Sequence, residues 1–100
     1  MKVSQEELAK QIDVTDWFTL RAHLERGGLI LVDRMLNLTE VGFAVASDDV
    51  QLIERWIASG MVGKPTAAQI ETWDLERTRA FACLITSPYV LIQEAPTENE

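Results

Sequence analysis

Apolar positions along this chain come either three and four apart or in unbroken runs, and each change of spacing marks an element. Leu8 and Ile12 lie behind Ser4 and Glu7, placed as a capping box, with Val3 placed to staple onto Leu8. This predicts a short helix ending near Gln11. After Thr15, the positions Trp17, Leu20 and Leu24 share one helical face, and Gly27–Gly28 stops the helix as a left-handed cap does. Leu29 to Val32 (LILV) is a short apolar run, predicted as a buried strand, and Asp33 to Asn37 turns the chain. From Asn37 to Gly60 the pattern is helical in two pieces. Leu38, Val41, Ala44 and Val45 form the first apolar face; Val50, Ile53, Trp56 and Ile57 form the second. Gly42 weakens the first piece by up to about 1 kcal/mol relative to alanine, and Phe43 and Ala46 leave a strand open there. Ser47–Asp48–Asp49 breaks the two pieces, with acids where a helix N-terminus favours them.

Met61 to Lys64 is predicted as a strand. Thr66 with Gln69 makes a second capping box, for a helix that buries Ile70 and Trp73. A charged turn spans Asp74 to Arg79. Ala80 to Thr86 and Tyr89 to Gln93 follow as strands on either side of Ser87–Pro88, where the proline has no amide to donate to a ladder. The predicted order is α-α-β-α-α-β-α-β-β. It makes an α+β domain over residues 1–94 with a polar acidic tail over 95–100: four or five helices on a small, mostly antiparallel sheet of three to four strands. The expected core is Trp17, Leu20, Leu24, Ile30, Val41, Val45, Ile53, Trp56, Ile57, Ile70, Phe81, Cys83, Ile85, Val90 and Ile92.

Composition narrows the function more than it defines it. With 47% hydrophobic and 25% charged residues in 100, the chain is ordinary globular protein, long enough for one core without staples. One cysteine excludes an intrachain disulfide and any multi-cysteine zinc site. No apolar run reaches membrane-spanning length and the N-terminus has no secretory stretch, so a cytoplasmic location is expected and no membrane partner. A net charge of −7 opposes broad polyanion binding.

From the second helix onward, the order of helix, strand, two helices, strand and a later strand resembles a winged-helix domain, with LNLTEVGFAVASDDVQLIERWIASGMVGKP as its central part. The chain also resembles a small bacterial family, domain of unknown function 2288. The carrying stretches are the helix at Trp17, LNLTEV, the SDDV break, the Trp56-to-Gly60 helix end and, most specifically, PYVLIQE at Pro88 to Glu94. That resemblance implies no activity, cofactor or catalytic residue.

A winged helix reads DNA through the N-terminal end of its second helix. Here that end carries Ser47, Asp48, Asp49 and Gln51. Residues 37–59 hold four carboxylates against Arg55 alone, a net −3. DNA presents a charge every ~1.7 Å of its axis, so this helix has the wrong sign, with Arg77 and Arg79 as the only wing cations. The helix pair is explained either by packing alone or as a protein-contact face. Asp48, Asp49, Gln51 and Glu54 are the candidate binding residues, for a basic protein partner. Trp73, on a short helix leading into the charged turn, is the tryptophan expected at a groove rim.

Catalytic chemistry finds little footing. His23 reads as a residue of a helix C-terminus and Cys83 as a small hydrophobe within a strand. Asp48 and Asp49 with Glu40 could hold magnesium, but capping explains the aspartates more simply. The glycines lack a phosphate-loop fingerprint. The expectation is a non-enzymatic interaction or adaptor module with no cofactor and no metal, the alternative being a DNA-binding transcriptional regulator. An exposed apolar edge at Tyr89–Ile92 would let two copies pair as a homodimer.

Overall fold

A computed structural model describes residues 5–86 and 89–94. The Ser4 cap, the Val3 staple, the Ser87–Pro88 corner and the acidic tail lie outside the described residues. The elements run α1 (Gln5–Lys10), β1 (Asp13–Asp16), α2 (Trp17–Glu25), β2 (Leu29–Val32), α3 (Leu38–Ala46), α4 (Val50–Ala58), β3 (Val62–Gly63), α5 (Ala67–Leu75), β4 (Ala80–Thr86) and β5 (Tyr89–Glu94).

Local chemistry sets most helix boundaries. Asp16 accepts from Thr19 N, Asn37 from Thr39 N and Glu40 N, and Asp49 from Leu52 N, each satisfying amides that the first helical turn leaves without partners. Thr66 and Gln69 form the reciprocal capping box expected of them. Gly27 and Gly60 take the left-handed conformation (φ 79° at both) just past the ends of α2 and α4.

The sheet has five strands in the order β1-β4-β5-β2-β3. All neighbours are antiparallel except β2 and β5, which run parallel with Leu29 opposite Val90 and Leu31 opposite Ile92. The fold is therefore α+β, five helices on an open, mostly antiparallel sheet one strand wider than expected. The added strand is β1. Its sequence, DVTD, has no apolar run to announce it, and it is extended because its backbone pairs with β4 from Asp13–Cys83 to Asp16–Ala80. After α4 the chain makes only the two-residue β3 at one sheet edge and then α5. The β4–β5 pair joins from the other side of β2, so no strand pair follows α4 directly as in a simple wing. The expected dimer edge is also corrected. Tyr89–Ile92 belongs to β5, which is hydrogen-bonded to β4 on one side and β2 on the other, so it has no free backbone to offer a second copy.

Both sheet faces are covered. On one, α2 and α5 bring Trp17, Leu20 and Trp73 onto Leu29, Phe81, Cys83, Val90 and Ile92. The Trp17 and Trp73 rings lie 4.9 Å apart, and Trp73 meets Phe81 edge-on at 5.0 Å. On the other, Leu8 of α1 and Leu38 and Val41 of α3 pack on Val32, Val62, Leu84 and Leu91. Gly42 sits where α3 approaches β4 closely. A Cβ there would fall onto Leu84 Cδ2 and lie 3.5 Å from Leu84 Cγ. Seven of the expected core residues (Trp17, Leu20, Val41, Phe81, Cys83, Val90 and Ile92) are buried, while Ile57 and Ile85 are exposed. The first core ends along β4 at Cys83, leaving Ile85 outside it at 60% exposure. The reason for Ile57 lies in the site described next.

Candidate functional site

Helix α4 is amphipathic yet contributes no fully buried residue. Its apolar stripe faces the sheet across a cavity of about 310 Å³ instead of closing onto it. Val41 and Val45 of α3 and Ile53, Trp56 and Ile57 of α4 form the walls. Ile30, Val62 and Leu91 come from the sheet, Tyr89 from the start of β5, and Asp48 from the α3–α4 turn. Ile57 (55% exposed) and Tyr89 (44% exposed) open toward solvent at this cavity, which is why an isoleucine on the correct helical face is not core. Asp48 is the sole charged residue of the lining, held at φ 58°, a left-handed conformation that aspartate adopts more readily than most residues after glycine and asparagine.

The candidate residues separate by role. Asp49 is the α4 cap, accepting from Leu52 N at 3.3 Å, while Asp48, Gln51 and Glu54 are exposed. Asp48 alone of the five touches the cavity. Trp73 is a correction. At 2% exposure it is among the most buried side chains, because its ring packs between those of Trp17 and Phe81 in the first core, and its Nε1 donates to Glu94 Oε1 at 3.2 Å. The tryptophan on a groove is Trp56, partly buried and lining the cavity. Ile57 and Tyr89 were legible only as core or edge residues. No sequence signal singles them out, since Val50, Ile53, Trp56 and Ile57 share one apolar helix face whatever lies opposite it.

On the opposite face a second cleft, of about 320 Å³, is lined by Trp17, Phe18, Arg21, Asp74 and Arg77. Asp74 is its organiser: its Oδ1 accepts from Trp17 Nε1 at 2.8 Å and from Arg21 Nε at 3.0 Å. The indole hydrogen bond, with the Arg21 charge behind it, holds the Asp74 carboxyl below the ordinary carboxylate range. Asp16 is lowered too, by donation from Thr19 N and Thr19 Oγ1. Burial pushes the Cys83 thiol up, with Asp13 on the paired strand adding to the shift. Arg79 bridges Glu76 at 2.7 Å and Glu94 at 3.5 Å, which anchors the end of β5. Gln93 Nε2 donates to the carbonyls of Asp33 (2.9 Å) and Leu36 (2.7 Å), pinning the β2–α3 turn. The Gln93–Glu94 pair of the PYVLIQE stretch is thus structural. Among the described residues no three His, Cys, Asp or Glu side chains converge as a metal site would need.

The described residues thus form an open, mostly antiparallel five-stranded α+β domain with an apolar groove between α4 and the sheet. The family profile described as "Protein of unknown function (DUF2288)" matches residues 3–94, and the chain belongs to that family. The chain is also similar to PA1075 from Pseudomonas aeruginosa, known from an NMR solution structure. The two share 31% identity over 91% of this chain and 83% of that one, with a TM-score of 0.79. No curated protein matches.

Proposed function

We propose that this protein is a non-enzymatic, cytoplasmic interaction module that holds a basic segment of another protein in the groove between α4 and the sheet. One observation carries the reading: α4 buries none of its residues fully, although its apolar stripe lines an open cavity of about 310 Å³. Close-packed interiors do not leave such a space beside large apolar side chains, and partly apolar pockets of this size are common binding sites. The sign of the partner follows from charge, since residues 37–59 carry a net −3 within a chain of net −7. The buried free thiol of Cys83 suits a reducing compartment, and no helix of the described residues is long and apolar enough to cross a membrane. The helix pair α3–α4 flanked by β2 and β3 is the part of the fold that supports a winged-helix-like reading of the scaffold, although no strand pair follows α4 directly.

Two fluorescent probes at low salt test this: a lysine- and leucine-based amphipathic peptide and a DNA duplex. The peptide is expected to bind and to weaken as salt rises, and Asp48→Lys, Asp49→Lys and Glu54→Lys together are expected to abolish binding. Salt-dependent binding of the duplex with none of the peptide would replace the proposal with the DNA-binding regulator.

A further inference from the structure

The groove has internal structure that specifies its partner more closely, and the inference drawn from it rests on the interaction-module proposal. We infer that the cavity is an anchor pocket for one large apolar side chain, aromatic by preference, projecting from the partner's basic segment, and that Asp48 pairs with a lysine or arginine beside that anchor.

The volume sets the size of the anchor. An engineered protein cavity of about 150 Å³ accepts a benzene ring. The space here, about 310 Å³, takes a phenyl or indole group together with the methylenes that carry it. Ile53 on one side and Leu91 on the other are apolar, so a polar insert would lose hydration without gaining a hydrogen bond from them.

The surroundings indicate a polypeptide as occupant. The exposed apolar surface continues past the cavity: Val50 and Ile57, both half exposed, are seven residues apart and so lie on the same side of α4. Glu54 falls between them at spacings of four and three, giving one edge of the helix the succession apolar, acidic, apolar. An occupant filling only the cavity would leave Val50 uncovered, whereas an amphipathic segment laid along this edge covers it. Charge on that segment is dictated by Glu54 and Asp48.

Asp48 is the more telling of the two. It does not cap α4, which Asp49 does, and its carboxylate has no partner among the described residues. Its backbone conformation would suit asparagine or glycine at least as well. Asp48 ends α3 as its left-handed residue, its N–H donating to Val45 O at 3.2 Å, a task that makes no use of the carboxylate; that carboxylate borders an apolar cavity and is placed to meet a cation from outside.

The test uses two peptides, a lysine- and leucine-based amphipathic helix with one central phenylalanine and the same peptide with alanine there. Both are titrated by fluorescence anisotropy against the intact protein and three variants. The wild type is expected to prefer the phenylalanine peptide by about tenfold or more, the value of burying one aromatic side chain. Val45→Phe fills the cavity from α3 and is expected to erase that preference while keeping the unfolding temperature. Should that variant not fold, Ile57→Ala, at an exposed position, is expected to reduce the preference by truncating the cavity's opening. Asp48→Asn, which the left-handed backbone tolerates, is expected to weaken both peptides at low salt and neither at high salt. An unchanged preference in folded Val45→Phe, or in Ile57→Ala where that variant stands in for it, would overturn the anchor pocket while leaving the module intact. Binding of the neutral dye N-phenyl-1-naphthylamine with no binding of either peptide would overturn both, making the cavity a small-molecule site.

Discussion

Replacing Gly42 with alanine sets two effects of known size against each other. Alanine in a helix interior is favoured over glycine by about 1 kcal/mol, so on an isolated or loosely docked α3 the substitution would stabilise. Here the new methyl meets Leu84 Cδ2 inside van der Waals contact, with Leu84 Cγ at 3.5 Å and Thr86 Cγ2 at 3.7 Å. Leu84 is wholly buried at the centre of the second core and has little room to turn away. Overpacking of this kind costs about 1–3 kcal/mol, so the net expectation for Gly42→Ala is a loss of about 1 kcal/mol. In a domain of this size that lowers Tm by about 4–8 °C. Urea unfolding followed by tryptophan fluorescence measures it, since Trp17 and Trp73 are both buried in the native state. The decisive control is Leu84→Ala. By itself it should cost about 2–5 kcal/mol, but with the Leu84 methyls gone, Gly42→Ala should become stabilising by about 1 kcal/mol. The two substitutions should then be coupled by about 2 kcal/mol. If Gly42→Ala stabilises the otherwise unaltered protein, α3 does not lie this close to β4. The groove walls carried by Val41 and Val45 would then stand elsewhere.

Two further expectations follow from the ionisable groups. Asp74 has its folded pKa depressed by the Trp17 indole and Arg21, so it adds stability above its unfolded pKa, near 4, and that contribution is lost as pH falls through the folded value. Thermal melts of Asp74→Asn between about pH 5 and pH 2 should therefore fall less steeply than those of the wild type; parallel curves would refute the Asp74 assignment. Cys83 is buried with its thiol pushed up, so iodoacetamide at mildly alkaline pH should label it far more slowly in the native protein than in urea, with equal rates counting against its place on β4.

What was legible along the chain depended on how local each cause is. The cap at Asn37, the Asp49 cap and the Thr66–Gln69 box join atoms two or three residues apart, and all three lie at predicted helix starts. LILV and AFACLIT are strands as expected because they are apolar enough to be buried in the sheet. DVTD was missed because nothing within four residues distinguishes it from a turn. Its partner is Ala80 to Cys83, more than sixty residues away. The Ile57 and Trp73 placements went astray for a related reason: periodicity shows that a residue is on the apolar side of its helix but not what lies opposite.

The sequence by itself determined the helix starts, the α+β mixture, the lone thiol and the acidic sign of the α4 region, because each follows from composition or from neighbours within one turn; membership of a family was legible too, from stretches spread along the chain. Only the tertiary structure decided that β5 is a central strand running parallel to β2, that Trp73 is sealed while Trp56 borders a space, and that one amphipathic helix keeps its apolar stripe partly uncovered. Those outcomes depend on which surfaces meet across the sheet and how closely they approach. A single glycine facing Leu84, or a helix held off the sheet by a few ångströms, changes them without altering the hydrophobic pattern.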